Sequence, residues 1–335
     1  VEHRDPYAEL VAYILRDCEY INILYPVCLA CTKEIVELME LVWRELPPKP
    51  EKNKWPFRSD HENDYNHDYW FGLNKDFDNG LNYFPASGFQ TPLVPLLIAE
   101  HKNYADELPV TKFLVKFIDE CVDCYSKRCT QNHEEVEVIE VLTPDGERRE
   151  LLSSLGLWTL YRGVGNISTP HLIESLHMAL ETFLLDLFTG PEEGNAENRK
   201  YAHKILRYIL NNARSVSLYS VVASIATAEP HEFFDELLMV CQDISFLSYD
   251  MTRYSCEHTA GFMTEGLPRH YQMNEERKKS NNYPHRQTYL ERILLDRQIV
   301  YAEREEHEAK ERLENALDRM PVSEFLNRVD RKSVV

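Results

Sequence analysis

Apolar residues recur along this chain at the three- and four-residue steps that place side chains on one face of a helix. The pattern predicts helices over residues 26–46, 110–128 and 214–228. Within residues 169–188 the apolar positions form a wide face, which predicts burial against more than one neighbour. These positions are Leu172, Ile173, Leu176, Ala179, Leu180, Phe183, Leu184 and Leu187.

The period changes to alternation between residues 134 and 152. There Val136, Val138 and Leu142 alternate with glutamates, and a Thr-Pro-Asp-Gly turn follows at 143–146. This combination predicts a β-hairpin. The helix at 214–228 consists of small and β-branched residues with low helix propensity, so we expect tertiary packing to hold it.

Three segments lack a helical period and are predicted to be irregular: residues 51–88, 190–199 and 244–285. The first is rich in Asp, Asn, His and aromatic residues, a composition that suits a functional loop better than simple disorder. After the third, residues 285–320 are strongly charged and predict a solvated helix.

Together these elements predict a mainly α fold, an irregular helical-repeat (solenoid-like) array with one small β-hairpin. We expect N-terminal helical hairpins over residues 1–130, which include the long aromatic and acidic loop at 51–88. A β-hairpin insertion follows at 131–152. A C-terminal helical array, ending in the charged helix, occupies 153–335.

Composition narrows the classes of partner and the compartment. The 335 residues carry a net charge of −19 without a dense basic cluster, so we expect basic partners and no direct binding to nucleic acid. No signal peptide or membrane-length apolar run is apparent, and eight cysteines fit a reducing cytoplasm. Because the chain begins at Val1, we expect it to be part of a longer protein.

A cluster of His61, His67 and Asp68 in the irregular segment supplies the ligand types that suit a divalent metal. One hypothesis is therefore a metal-dependent hydrolase, to which Glu174 and His177 would add ligands. A solvated acidic loop explains the same residues without chemistry.

Aromatic side chains in that segment favour a different interpretation. Tyr65, Tyr69 and Trp70 are candidate anchors for a protein partner, because aromatic residues dominate interface energetics. Tyr161 and Arg162, beside a glycine-rich turn, are further candidate partner contacts.

Two Cys-x-x-Cys pairs, Cys28 with Cys31 and Cys121 with Cys124, have the composition of a structural zinc site. Each pair also lies on or beside an apolar stripe, where a thiol packs as a small hydrophobic group. The chain contains no Gly-Lys-Ser or Gly-Lys-Thr phosphate-binding sequence and no Gly-x-Ser-x-Gly sequence. We therefore expect no catalytic activity and no cofactor in this chain.

Three stretches resemble one family: YFPASGFQTPLVPLL at 83–97, LWTLYRGVGNISTPHLIESLHMALETFLLDL at 157–187, and ARSVSLYSVVASIATAEP at 213–230. They resemble a helical region of large bacterial antiviral P-loop ATPases of the STAND class, the AVAST-type (Avs) family. The resemblance implies a sensor that recognises a phage protein, of the terminase or portal type. ATP and magnesium would bind elsewhere in the parent protein, which would oligomerise on activation and switch on an effector.

The leading hypothesis is thus a non-catalytic recognition region of a defence ATPase. The metal-dependent hydrolase and a purely structural helical scaffold remain as alternatives.

Overall fold

The computed structural model describes residues 21–44, 70–73, 93–128, 136–161, 170–189, 192–259 and 280–320. Of these residues 75% are helical, in twelve α-helices, a short 3₁₀ helix and one two-stranded antiparallel sheet. The predicted fold class, a mainly helical array with one small β-hairpin, is confirmed.

The first four helices precede the hairpin. They are α1 (Ile21–Ala30), α2 (Thr32–Trp43), α3 (Leu93–Asn103) and α4 (Pro109–Arg128). The hairpin consists of β1 (Glu137–Leu142) and β2 (Arg148–Ser153). The remaining elements are α5 (Leu155–Thr159), α6 (His171–Thr189), α7 (Glu192–Asn212), α8 (Val216–Ala228), α9 (Phe234–Val240), α10 (Ile244–Thr259), the 3₁₀ helix (Pro284–Gln287), α11 (Leu290–Glu303) and α12 (His307–Asp318).

Helix α8 lies at the centre of the described structure. It is buried from Val216 to Thr227 and packs against α5, α6, α7 and α9, with β2, the 3₁₀ helix and α11 also in contact. The Ser215 hydroxyl caps it by accepting a hydrogen bond from the backbone N–H of Ser217 at 3.1 Å. This burial supplies the tertiary support that the weak helix propensity of the segment requires.

Helix α6 packs on α3, α7 and α8. All eight apolar residues predicted for its wide face are buried. Trp158 of the preceding helix α5 is fully buried as well and stacks on Phe246 at 5.2 Å between ring centroids. The prediction of burial against several neighbours is therefore confirmed for this helix.

The hairpin buries the face opposite to the one that the alternation in the sequence predicted. Ile139 and Val141 face the core, whereas Val138 and Leu142 are 60% and 44% exposed. The turn is set by Gly146, which adopts φ +84°, a conformation that favours glycine. Opposite the hairpin turn, the backbone N–H of Leu152 donates to the carbonyl of Arg214 at 2.8 Å, which joins β2 to the entry of α8.

Helices occupy part of two segments that were predicted to be irregular, and one predicted helix start is wrong. Helix α7 already begins at Glu192, and α10 occupies Ile244–Thr259. Pro26 lies inside α1 instead of starting a helix. The inward face of α10 explains one of these errors: Asp250, Arg253 and Glu257 are buried there, so charged residues occupy positions that would normally reveal an apolar period.

One hydrophobic cluster extends through the described residues from Cys28 to Met320. It includes residues from the N-terminal helices, the hairpin and the C-terminal helices, so the described parts of the three predicted segments share a core. None of the described helices combines the length and the apolar composition that crossing a bilayer demands.

Candidate functional site

Most of the residues predicted to bind a metal or a partner lie outside the described residues. These are His61, Tyr65, His67, Asp68, Tyr69 and Arg162. Their predicted roles stay predictions.

The remaining two predicted partner contacts, Trp70 and Tyr161, are described. Trp70 is partly buried against the hydrophobic cluster. Tyr161 is only 2% exposed, and its hydroxyl accepts a hydrogen bond from Arg286 Nη1 at 3.0 Å. The position of Tyr161 gives no support to a surface contact, because its ring is enclosed by other elements of the fold.

Tyr161 belongs to an interior network of charged side chains. The Arg286 guanidinium pairs with the carboxylates of Glu181 and Glu257 and lies over the Tyr161 ring, 4.9 Å from its centroid. The Ser224 hydroxyl donates to the other oxygen of Glu181. Burial raises the pKa of Tyr161 to about 12, so its hydroxyl stays protonated.

The same network continues through Arg253 of α10 to the start of α11. Arg253 Nη1 donates to Glu257 at 2.7 Å, and Nε donates to Asp250 at 2.7 Å. Nη2 donates to the carbonyl of Thr288 at 2.9 Å. Asp250 in turn accepts from the backbone N–H of Leu290 at 2.9 Å, so its carboxylate caps the first turn of α11.

The interior network connects α6 and α10 to the 3₁₀ helix and α11. It consists of six side chains: Tyr161, Glu181, Asp250, Arg253, Glu257 and Arg286. Its members are at most 6% exposed. Removing one partner of such a buried pair typically costs about 3–5 kcal/mol, because the other charge is left without compensation. The dense mutual pairing makes the network a structural element of the fold.

Glu174 and His177 on α6 are both buried, at 2% and 0% exposure. His177 Nδ1 donates to the carbonyl of Ile173 at 2.7 Å, and burial lowers the pKa of this imidazole to about 4. Cys28 and Cys121 are buried in the core, and burial raises the pKa of each thiol to about 12. Across the described ranges, no three His, Cys, Asp or Glu side chains are grouped to hold a metal ion.

Two further buried carboxylates satisfy backbone N–H groups. Glu100 accepts from Val110, Thr111 and the hydroxyl of Tyr201, which closes the N-terminus of α4. Asp119 accepts from the backbone N–H of Arg214 at 2.9 Å, and burial raises its pKa to about 7. Both anchor helix connections within the core.

An open cleft of about 880 Å³ lies between α7 and α9. One wall is a stripe on α7, and the other is α9 with the residues just before it. Pro144 of the hairpin turn and Arg312 of α12 also line this α7–α9 cleft. Its lining is completed by Lys200, His203, Lys204, Arg207, Leu210, His231, Glu232, Phe234, Asp235, Glu236, Leu238 and Met239.

The two walls carry opposite charge. Lys200, Lys204 and Arg207 lie on α7, whereas Glu232, Asp235 and Glu236 lie on the α9 side. With Arg312, the lining has four permanent cations against three carboxylates, before its two histidines are considered. This local excess of positive charge contrasts with the net charge of −19 of the whole chain.

His203 holds the two walls together. Its Nδ1 lies 2.8 Å from Glu236 and its Nε2 3.3 Å from Glu232. The hydrogen bond to Glu236, followed by its charge and the interactions with Glu232, raises the pKa of His203. Arg199 reinforces the contact by pairing with Glu232 at 2.6 Å.

Sequence reasoning missed this cleft, although a signal was present. Lys200, His203, Lys204 and Arg207 follow the three- and four-residue steps of one helix face. The stripe forms no recognisable motif by itself, and the opposing acidic wall comes from a separate helix.

Comparison of the sequence with protein-family models and with curated proteins found no match in either.

Proposed function

We propose that this chain is a non-catalytic protein-recognition region and that the α7–α9 cleft binds a segment of its partner. The cleft carries the proposal because it is open, about 880 Å³ in volume and lined by charged and apolar side chains on helices. Rigid helices that present several side chains to a groove are a common platform for peptide segments.

The resemblance to AVAST-type STAND ATPases supplies the context of the proposal. Two of the resembling stretches form described core elements: residues 157–187 include most of α5 and α6, and 213–230 include α8. The resemblance therefore concerns the scaffold, whereas the cleft is built mainly from α7 and α9. A scaffold shared across a family, with a recognition surface that differs between members, fits a sensor that has its own trigger.

Under this proposal the chain acts in the cytoplasm as part of a larger ATPase. ATP and magnesium would bind to the parent protein outside this chain. A phage terminase or portal protein would bind to the sensor, and the parent would then oligomerise and activate its effector. The chain itself would contribute recognition and relay.

Co-expression of the chain with individual phage terminase and portal proteins, followed by affinity capture and size-exclusion chromatography, tests the proposal. We expect a stable complex with a member of one of these classes. Failure of both classes to bind the chain and the parent ATPase would contradict the proposed trigger and favour a structural scaffold.

A further inference from the structure

The cationic wall of the α7–α9 cleft is only partly neutralised by the protein itself. Arg312 pairs with Asp235, and Lys204 is engaged by Asp106 at 3.0 Å. In contrast, Lys200 is exposed and has no ion-pair partner among the described residues.

Arg207 is also available to an incoming anion. Its guanidinium lies 3.6 Å from Asp145, and both side chains are about 60% exposed. A solvent-exposed pair of this kind contributes little free energy and exchanges readily with another carboxylate. Lys200 and Arg207 are therefore the two cations of the cleft that a ligand can recruit at the smallest cost to the fold.

The spacing of these two cations favours an extended ligand. Lys200 and Arg207 are seven residues apart on one helix, which corresponds to roughly 10 Å along its axis. A single phosphate or carboxylate would contact both only if the two long side chains converged on it. Two acidic side chains on one polypeptide segment can each pair with one cation without that rearrangement.

The far end of the cleft adds an apolar contact. Leu210 lies about 4.5 Å further along the α7 axis than Arg207. Around it the lining becomes apolar, with Leu238, Met239 and Pro144. Met239 and Pro144 remain partly exposed there, so a ligand side chain can pack on them.

We propose that the α7–α9 cleft recognises an acidic segment of the partner protein, in which at least two carboxylates pair with Lys200 and Arg207 and an adjacent apolar residue packs on Met239 and Pro144. This inference rests on the proposed protein-recognition function and names the chemical class of its partner. It reverses the expectation of basic partners drawn from the net charge. Charges within about 8 Å dominate at physiological ionic strength, so a ligand in the cleft interacts more strongly with the exposed Lys200 and Arg207 than with the distant acidic surface of the chain.

Selection of short random peptides against the immobilised chain tests the inference without assuming a partner. We expect the enriched peptides to be acidic, to contain an apolar residue beside the acidic positions, and to bind more weakly as salt increases. Binding of the enriched peptides is then compared between the native chain and the variant Lys200→Glu/Arg207→Glu. Reversal of both charges is expected to weaken binding by about tenfold or more.

The matched control is Lys112→Glu/Arg292→Glu, which makes the same charge change at exposed helical positions outside the cleft. We expect this control to bind the peptides within about twofold of the native chain. Tripolyphosphate is included as a competitor, because a general anion site would prefer it to a peptide of lower charge density. We expect it to compete only weakly.

Enrichment of basic peptides, an empty selection, equal losses in both variants, or competition by tripolyphosphate as strong as by peptide would each overturn the acidic-segment inference. The proposed function is judged separately by capture of terminase or portal proteins. If capture succeeds and the peptide experiment fails, the protein-recognition role stands and the assignment of an acidic segment to the cleft is wrong.

Discussion

The interior network and the α7–α9 cleft are both rich in charged side chains, but they differ in solvation and in pairing. In the network, Arg253 and Arg286 are at most 3% exposed and each contacts two carboxylates. In the cleft, Lys200 and Arg207 are exposed and are unpaired or weakly paired. Buried charge must be compensated within the fold, whereas exposed charge is solvated by water and stays available to pair with a ligand. Charge density alone therefore does not identify a binding site.

The largest effect is expected from breaking the network at its centre. Arg286→Met removes the guanidinium that pairs with Glu181 and Glu257 and leaves two buried carboxylates with less compensation. We expect the free energy of unfolding to fall by about 3–5 kcal/mol. Chemical denaturation, monitored by circular dichroism, measures this change.

A matched control for that variant is Arg292→Met, at a guanidinium that is 63% exposed on α11. It should change stability by less than about 0.5 kcal/mol. The double variant Arg286→Met/Glu181→Gln should be less destabilised than the sum of its single changes, because the uncompensated carboxylate is also removed. Equal small losses for Arg286→Met and Arg292→Met would show that the network does not hold these helices together.

Asp119 differs from the carboxylates of the network, because it is buried without a strong cationic partner. Burial raises its pKa from 3.8 to about 7, so the folded state binds this proton more tightly than the unfolded state. The associated stability is present below about pH 4 and is lost as pH rises through about 7. The total change is up to about 4 kcal/mol, since one pKa unit corresponds to about 1.4 kcal/mol.

Asp119→Asn should remove this part of the pH dependence. Relative to the native chain, the variant should gain stability as pH rises from about 4 to 8, measured by denaturation at a series of pH values. Asp123→Asn, at a half-exposed carboxylate one turn later that pairs with Lys127, is the control. Parallel pH profiles for the native chain and Asp119→Asn would contradict the raised pKa.

Some of this architecture could be predicted from sequence, and some could not. The face of α6 and the hairpin turn follow from local periodicity and from glycine at residue 146. Helix α10 was missed because its buried positions carry the charged residues Asp250, Arg253 and Glu257. Their burial depends on ion pairs with one another and with Arg286, which local periodicity does not reveal. The cleft was missed because its walls are remote in sequence, and no local pattern records which helices face each other.

A smaller effect is expected at the contact between the two cleft walls. The hydrogen bond that His203 donates to Glu236, with the charge of both glutamates, raises the pKa of His203. Its stabilising contribution is complete below the unfolded pKa of about 6.5 and disappears as pH rises through the folded-state pKa. Because about a third of the imidazole is exposed, solvent screening limits the effect to under about 1 kcal/mol.

His203→Gln should therefore be destabilised relative to the native chain near pH 6 and nearly equal to it near pH 9. Thermal or chemical denaturation at these two pH values measures the difference. His307→Gln, at an exposed histidine at the start of α12, serves as control. A destabilisation that grows with pH would have the wrong sign for this contact.

The network maintains the fold, and we propose that the α7–α9 cleft binds the partner. The most direct test measures both properties on Lys200→Glu/Arg207→Glu, with unfolding free energy and binding of the enriched acidic peptides determined on the same preparation. We predict a stability within about 0.5 kcal/mol of the native chain and a loss of peptide binding of about tenfold or more. Undiminished binding, or a binding loss that accompanies unfolding, would contradict the claim.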